Sequence, residues 1–140
     1  MILLDTNVIS EAFRVQPDPV ARAWYDAQST VDLYLCAPVL AELRHGAERL
    51  ASGRRRSRLE ELIKQFEQQI FASNFLTLDR ESAYAYGRVM AERQRRGKPI
   101  NSMDALIASI ALVHGAKLAT RDVTDFEDLG FEIVNPFVPA

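Results

Sequence analysis

The chain of 140 residues is poor in the side chains on which several common chemistries depend. It has one cysteine, Cys36, and two histidines, His45 and His114, which excludes an internal disulfide and a structural zinc cluster. Cys36 lies in an apolar segment, so we interpret it as a buried small hydrophobic residue of a protein from the reducing cytosol, not as a nucleophile. The six glycines are scattered and form neither a phosphate-binding loop nor a dinucleotide fingerprint.

Long apolar runs and a strong net charge are also missing. The longest apolar stretch, residues 105–113, is too short to cross a bilayer, and no basic leader of the secretory kind precedes the first predicted strand. A formal net charge of -2 gives no global basic field for nucleic acid, although a local patch is sufficient for binding. With 48% hydrophobic and 26% charged residues, the sequence predicts a soluble cytoplasmic protein with one globular domain over residues 1–140.

Strand and helix patterns alternate along the chain, which is typical of crossover connections and a mainly parallel sheet. Strands are predicted at residues 1–4, 32–37, 75–78, 117–120 and 132–134. Helices are predicted at residues 18–28, 38–50, 56–72, 80–96 and 102–114, the last with Ser102 as its N-cap and Gly115 as its C-cap. We therefore expect an α/β fold in three layers, with a mainly parallel sheet of about five short strands flanked by helices.

Four acidic residues stand beside apolar elements. Asp5 follows the first strand and Asp122 follows the strand near residue 120, at the strand ends where ligands collect in open α/β sheets. Glu42 and Asp104 interrupt apolar helical patterns, where an unpaired charge is costly. Carboxylates are preferred ligands of Mg²⁺ and Mn²⁺, and converging carboxylates repel one another without a cation. The four acids together predict one shared divalent-cation site.

Each acid also has a simpler explanation. Asp5 could be a helix N-cap, and Asp122 could cap the turn at residues 124–126. Asp104 falls in a first helical turn, where the helix dipole favours an anion, and Glu42 could be solvated or ion-paired. Their joint placement nevertheless favours the metal site.

Further polar residues accompany the acids. Thr6, Asn7 and Thr120 neighbour Asp5 and Asp122, and we expect them to hold the carboxylates in place, although turn and cap chemistry would also explain them.

Two basic clusters are candidates for phosphate contacts, with a solvated helix end as the alternative for both. The first cluster contains Arg54, Arg55, Arg56 and Arg58, and the second contains Arg93, Arg95, Arg96 and Lys98. The second cluster closely precedes the helix that carries Asp104, so we prefer it as the guide for substrate.

Four segments in order resemble the successive motifs of PIN-domain nucleases: residues 1–10 (MILLDTNVIS), 41–46 (AELRHG), 104–108 (DALIA) and 119–122 (ATRD) with Phe126. The likeness is greatest to the VapC toxins of VapBC toxin–antitoxin pairs, especially the FitB-like subgroup, and it runs from residue 1 to about residue 136. It implies a PIN-like fold and Mg²⁺- or Mn²⁺-dependent endoribonuclease activity. It also assigns Asp5, Glu42, Asp104 and Asp122 as the catalytic and metal-binding residues, with Asp125 as a possible substitute for Asp122.

The same resemblance implies a set of partners. Family members form homodimers and are held inactive by a cognate antitoxin, which often places a basic side chain in the acidic pocket. The complex binds operator DNA through the antitoxin and represses its own operon. The expected substrate is a structured RNA such as tRNA or ribosomal RNA, cleaved to a 5′-phosphate and a 3′-hydroxyl, and the second basic cluster would contact it.

Two alternatives come from other classes of protein. The chain could be a catalytically silent binding module or co-repressor whose acids hold a basic antitoxin peptide. A haloacid-dehalogenase-like phosphatase also begins with a strand and an aspartate, but it needs a second acid two residues later. That position is Asn7, which cannot donate and recover a proton, so the phosphatase interpretation is disfavoured.

Overall fold

Five short parallel strands form the centre of the molecule in a computed structural model that describes residues 1–140. The strands are β1 (Ile2–Leu4), β2 (Leu33–Cys36), β3 (Phe75–Leu76), β4 (Lys117–Ala119) and β5 (Ile133–Val134). Their order across the sheet is β3-β2-β1-β4-β5, and each neighbouring pair is parallel. Because β1 is central, Ile2 lies opposite Leu33 on one side and Lys117 on the other. The predicted mainly parallel sheet is confirmed.

Six α-helices connect and cover the strands: α1 (Thr6–Ala12), α2 (Pro19–Asp26), α3 (Ala37–Glu48), α4 (Arg54–Gln65), α5 (Arg80–Arg95) and α6 (Ser102–His114). Single 3₁₀ turns occur at Thr30–Asp32 and Val123–Phe126. None of the helices combines the length and the apolarity that a membrane crossing requires. Because the helices cover the sheet, the predicted α/β fold is observed.

The helix predicted over residues 56–72 is divided into two parts. Helix α4 ends at Gln65, and a π-helical turn follows at Phe66–Ile70, closed by a hydrogen bond from the Phe71 amide to the Phe66 carbonyl. A π turn places residues five apart on one face, which brings the rings of Phe66 and Phe71 within 6.2 Å of each other. The Phe66 ring also meets Phe13 edge-on at 4.8 Å, so aromatic packing accounts for the change of helix type.

The ends of α6 decide where Asp104 lies. The prediction of Ser102 as N-cap is wrong, because the side chain of Asn101 caps the helix by accepting from the Asp104 amide at 2.8 Å. The Asn101 side-chain amide also donates to the Asp104 carboxylate at 2.7 Å, which makes the pair reciprocal. Gly115 ends the helix with a φ of 62°, as predicted, because this left-handed conformation carries no penalty for glycine.

The core lies around the central strands and α6. Leu3, Leu4 and Leu118 on the strands are completely buried, as are Ile107 and Ile110 on the helix. Burial on both faces holds β1 and β4 rigidly side by side, so the residues directly after them start from fixed positions at one edge of the sheet.

Candidate functional site

Asp5 is the most constrained acid at the carboxyl edge of the sheet. It caps α1, with one carboxylate oxygen accepting from the Thr6 amide at 2.8 Å and the other from the Thr120 hydroxyl at 2.7 Å. Only 5% of the residue is exposed. Burial raises the pKa of Asp5, the hydrogen bonds from Thr120 and Thr6 lower it, and the charges of Glu42 and Asp122 raise it further, with a net upward shift. Asp5 is therefore the N-cap of α1, as the alternative explanation stated. Capping does not explain why the other acids lie near it.

Asn7 joins the end of β1 to the end of β4. Its side-chain amide nitrogen lies 3.0 Å from an Asp122 carboxylate oxygen, and 3.3 Å from both the Thr120 hydroxyl and an Asp5 carboxylate oxygen. Its side-chain oxygen accepts from the Arg121 amide at 3.1 Å. Asp122 starts a 3₁₀ turn but makes no side-chain capping hydrogen bond there, so turn capping does not explain its carboxylate. All three predicted polar neighbours of the acids therefore contact the carboxylates.

Glu42 reaches the same place from α3. One of its carboxylate oxygens accepts from the Thr6 hydroxyl at 2.7 Å, and Glu42 forms no salt bridge. Thr6 therefore contacts Asp5 through its amide and Glu42 through its hydroxyl.

Asp104 completes the group from the first turn of α6. Burial raises its pKa to about 6; Asp5 is the next cause, and Asp125 and Glu42 add to the rise, while the hydrogen bond from Asn101 opposes it. Such influence requires short distances, because Coulomb interactions weaken with separation and with solvent screening. Hydrogen bonds of Thr6 and Asn7 thus link Asp5, Glu42 and Asp122, and Asp104 and Asp125 are connected to this group by their electrostatic influence.

These five carboxylates, Asp5, Glu42, Asp104, Asp122 and Asp125, are called the acidic cluster below. No lysine, arginine or histidine forms a salt bridge with any of them. At the same time, no three His, Cys, Asp or Glu side chains are arranged as a ready-made metal site. The cluster is therefore an uncompensated concentration of negative charge, held open by hydrogen bonds, that favours binding of a cation.

The second basic cluster has a different role from the one predicted for it. Arg93 is buried, and its guanidinium donates to the Lys98 carbonyl at 2.7 Å and to the Asp125 carbonyl at 2.9 Å. The burial of Arg93 and its two bonds to main-chain oxygens indicate a structural role and do not support the predicted substrate contact. Arg95 and Arg96 are exposed and both pair with Glu92, and only Lys98 is both exposed and unpaired.

Beside the acidic cluster lies a basic groove that was not predicted from the sequence. It lies between α1, α3 and α4, has a volume of about 720 Å³, and contains Thr6 and Glu42 in its wall. Its basic residues are Arg14, His45, Arg49, Arg55 and Arg58. We call it the arginine groove. The spacing of Arg55 and Arg58, three residues apart and hence on one helical face, was the available signal.

Two further polar residues are structural. The Cys36 thiol is buried, which raises its pKa to about 12, so the thiol is not ionised near neutral pH and its interpretation as a buried residue holds. Glu11, which the sequence did not single out, is buried and accepts from the Asp18 amide at 2.7 Å.

An open parallel sheet with a carboxylate cluster at its carboxyl edge defines the class of this protein. A family model described as PIN domain matches residues 2–132, and the chain belongs to that family. A VapC ribonuclease of Sinorhizobium fredii is 40% identical, over 100% of both chains. The toxin FitB of Neisseria gonorrhoeae is 38% identical, over 98% of this chain and 99% of FitB.

Solved structures agree with the sequence relatives. The structure of FitAB bound to an IR36 DNA fragment superposes with a TM-score of 0.93 and 36% identity, covering 100% of this chain and 98% of that one. The predicted resemblance to VapC-type and FitB-like PIN domains is confirmed.

Proposed function

We propose that this protein is the toxin of a type II toxin–antitoxin pair and acts as a divalent-metal-dependent endoribonuclease. The observation that carries the proposal is the acidic cluster, an uncompensated set of carboxylates at the ligand-binding edge of a PIN domain. Relatives named as a ribonuclease and as a toxin, each matched over nearly the full chain, support it.

The donor set of the acidic cluster suits Mg²⁺ or Mn²⁺. These are hard cations that prefer oxygen ligands, and Mg²⁺ in nucleic-acid enzymes uses one or two carboxylates together with waters and substrate phosphates. Since no three carboxylates are arranged to coordinate one ion directly, some of the acids would hold the cation through a bound water. Asp5, Glu42 and Asp104 would hold the main cation, and Asp122, with Asp125 beside it, would complete the site.

The cation and the protein side chains would have different roles in the hydrolysis. When bound, the cation would make a water nucleophilic at neutral pH and stabilise charge on the leaving oxygen. The chain fixes the carboxylates: Thr6 and Thr120 lock Asp5, and Asn7 holds Asp122. Because the pKa of Asp104 is about 6, its carboxyl is mostly ionised at neutral pH and above. Hydrolysis of this kind would leave a 5′-phosphate and a 3′-hydroxyl.

The test removes charge from the acidic cluster without changing side-chain size. We expect Asp5→Asn or Asp104→Asn to reduce RNA cleavage at least about 100-fold, since the outer partners of metal ligands alone are worth about 10–100-fold. Both variants should also relieve growth inhibition. Asp26→Asn, an exposed acid on α2, is the matched control and should cleave like the wild type. Full toxicity of both site variants would contradict the mechanism.

The alternative of a catalytically silent binding module is tested by expression without a partner. An enzyme should inhibit growth alone and lose that effect on Glu42→Gln, whereas a module that only holds a basic peptide should be harmless in both forms. Cleavage ends mapped in total RNA after induction would identify the substrate.

We also propose the partners that accompany this function. The solved FitAB complex on DNA, to which the chain is similar over its whole length, supports a cytoplasmic complex with a cognate antitoxin that binds operator DNA. A homodimer of the toxin within that complex is part of the same proposal, and light scattering of the copurified pair would measure its stoichiometry.

A further inference from the structure

We propose that the arginine groove binds the phosphates of the RNA strand beside the cleaved bond and leads that strand into the acidic cluster. This inference rests on the endoribonuclease function proposed above. It identifies the surface that holds the substrate and the residues that hold it, and it makes the basic cluster at the start of α4, not the one at the end of α5, the substrate guide.

The first argument is continuity between the groove and the acids. Thr6 and Glu42 line the groove, and the same two side chains are joined by the hydrogen bond that places Glu42 in the acidic cluster. A strand lying in the groove therefore has one end at the carboxylates.

The second argument is unpaired charge. Arg49, Arg55 and Arg58 line the groove and form no salt bridge, whereas the neighbouring Arg56 is paired with both Glu48 and Glu60. Glu42 is the only acid in the groove wall. Unpaired guanidinium groups along a groove are suited to phosphates, which they can bind with two parallel hydrogen bonds.

The third argument is the apolar part of the wall. Phe13, Leu43, Leu50, Leu59 and Leu62 lie between the basic side chains. Bases of single-stranded RNA pack against aromatic and apolar surfaces while the backbone follows the positive charge. A volume of about 720 Å³ fits a short stretch of one strand and is too small for a duplex.

The experiment compares two double variants that lose the same charge. Arg55→Gln with Arg58→Gln changes the groove, and Arg80→Gln with Arg88→Gln changes two exposed, unpaired arginines of α5. Binding of a fluorescein-labelled single-stranded oligoribonucleotide is measured by anisotropy in EDTA, across a series of salt concentrations, so that no cleavage occurs. Cleavage by the wild type with Mg²⁺ is measured separately.

We expect the groove variant to bind RNA at least about 10-fold more weakly than the control variant at low salt. The slope of log affinity against log salt should fall by about 1.4, because each single-strand phosphate contact contributes about 0.7. Arg55→Lys with Arg58→Lys keeps the charge and should restore most of the slope. Melting curves of the variants verify that both are folded.

Equal salt slopes for the groove and control variants would overturn the inference about the groove. If the wild type cleaves RNA in that case, the proposed function is unaffected. If the wild type cleaves no RNA at all with Mg²⁺, the proposed function itself is contradicted. Loss of antitoxin binding with RNA binding unchanged would assign the groove to a protein partner and likewise overturn the inference.

Discussion

The Asp104 side chain carries a cost in the metal-free protein that can be measured. Its pKa of about 6 lies above the ordinary value of 3.8, so between these values the folded chain holds more protons than the unfolded chain. Stability therefore falls as pH rises through that interval and stays reduced above it. Asn in this position keeps an oxygen that can accept from Asn101 but carries no charge.

We expect Asp104→Asn in EDTA to melt above the wild type at pH 7, with the difference vanishing towards pH 4. After discounting for solvent screening of a half-buried group, the gain should be roughly 1 kcal/mol, or a few degrees in Tm. Calorimetry at pH 4, 5.5 and 7 measures it. A variant less stable than the wild type at pH 7 would mean that the helix dipole dominates at this position over burial of the charge and repulsion within the acidic cluster.

Asn7 and the acids around it show which features of the site could be predicted from the local sequence. The sequence places an amide two residues after Asp5, and that amide donates towards Asp5 and Asp122, where a second carboxylate would add repulsion. The four acids could be predicted because each follows a strand or interrupts an apolar helix, which are local signals. Asp125 could be named only as a substitute, since its position beside Asp104 depends on how α6 packs against the turn after β4.

At the scale of elements, Arg93 ties the end of α5 to the turn that carries Asp125. Its guanidinium donates to two main-chain carbonyls, one five residues away and the other 32 residues away. A lysine has no planar fork with which to reach both. We expect Arg93→Lys to lower the free energy of unfolding by about 2 kcal/mol, since it breaks a charge-assisted hydrogen bond of a buried guanidinium.

Arg96→Lys provides the control for this variant. Arg96 is the C-cap of the same helix but is exposed and paired with Glu92, so its replacement should cost less than about 0.5 kcal/mol. Denaturant titration of both variants gives the comparison. Equal costs would show that burial of the guanidinium contributes nothing.

The elements themselves were mostly predictable from local pattern. Helix α2 begins at Pro19 behind the Asp18 cap, and α6 ends at Gly115, because these residues act on their own neighbourhood. The π turn at Phe66–Ile70 was not predicted, since it depends on Phe13, more than 50 residues away. The burial and ion pairing of the two basic clusters could not be predicted for the same reason. Charge is visible in the sequence, but burial and pairing depend on tertiary packing.

At the scale of the whole molecule, we expect the acidic cluster to couple metal binding to stability. We expect Mg²⁺ or Mn²⁺ to raise Tm at pH 8, by the equivalent of about 2.7 kcal/mol when the metal is at 100 times its Kd. The rise should be much smaller at pH 5, because the pKa of Asp104 is about 6 and that of Asp5 is also raised, so protons compete with the metal.

Differential scanning fluorimetry with a metal titration measures this coupling, and sodium chloride of equal ionic strength controls for screening. Asp26→Asn should respond as the wild type does, and Asp5→Asn should lose most of the response. An identical metal response at pH 5 and pH 8 would exclude these carboxylates as the ligands.

The central position of β1 sets the time at which the protein becomes active during its synthesis. Asp5 is synthesised before Asp122, yet β1 needs β4 beside it, and Asn7 contacts Asp122 across 115 positions of chain. At 5–20 residues per second, that interval is on the order of ten seconds. A nascent chain that has not reached β4 has neither a finished sheet nor a complete set of carboxylates. The acidic cluster can therefore assemble only after synthesis has passed Asp122.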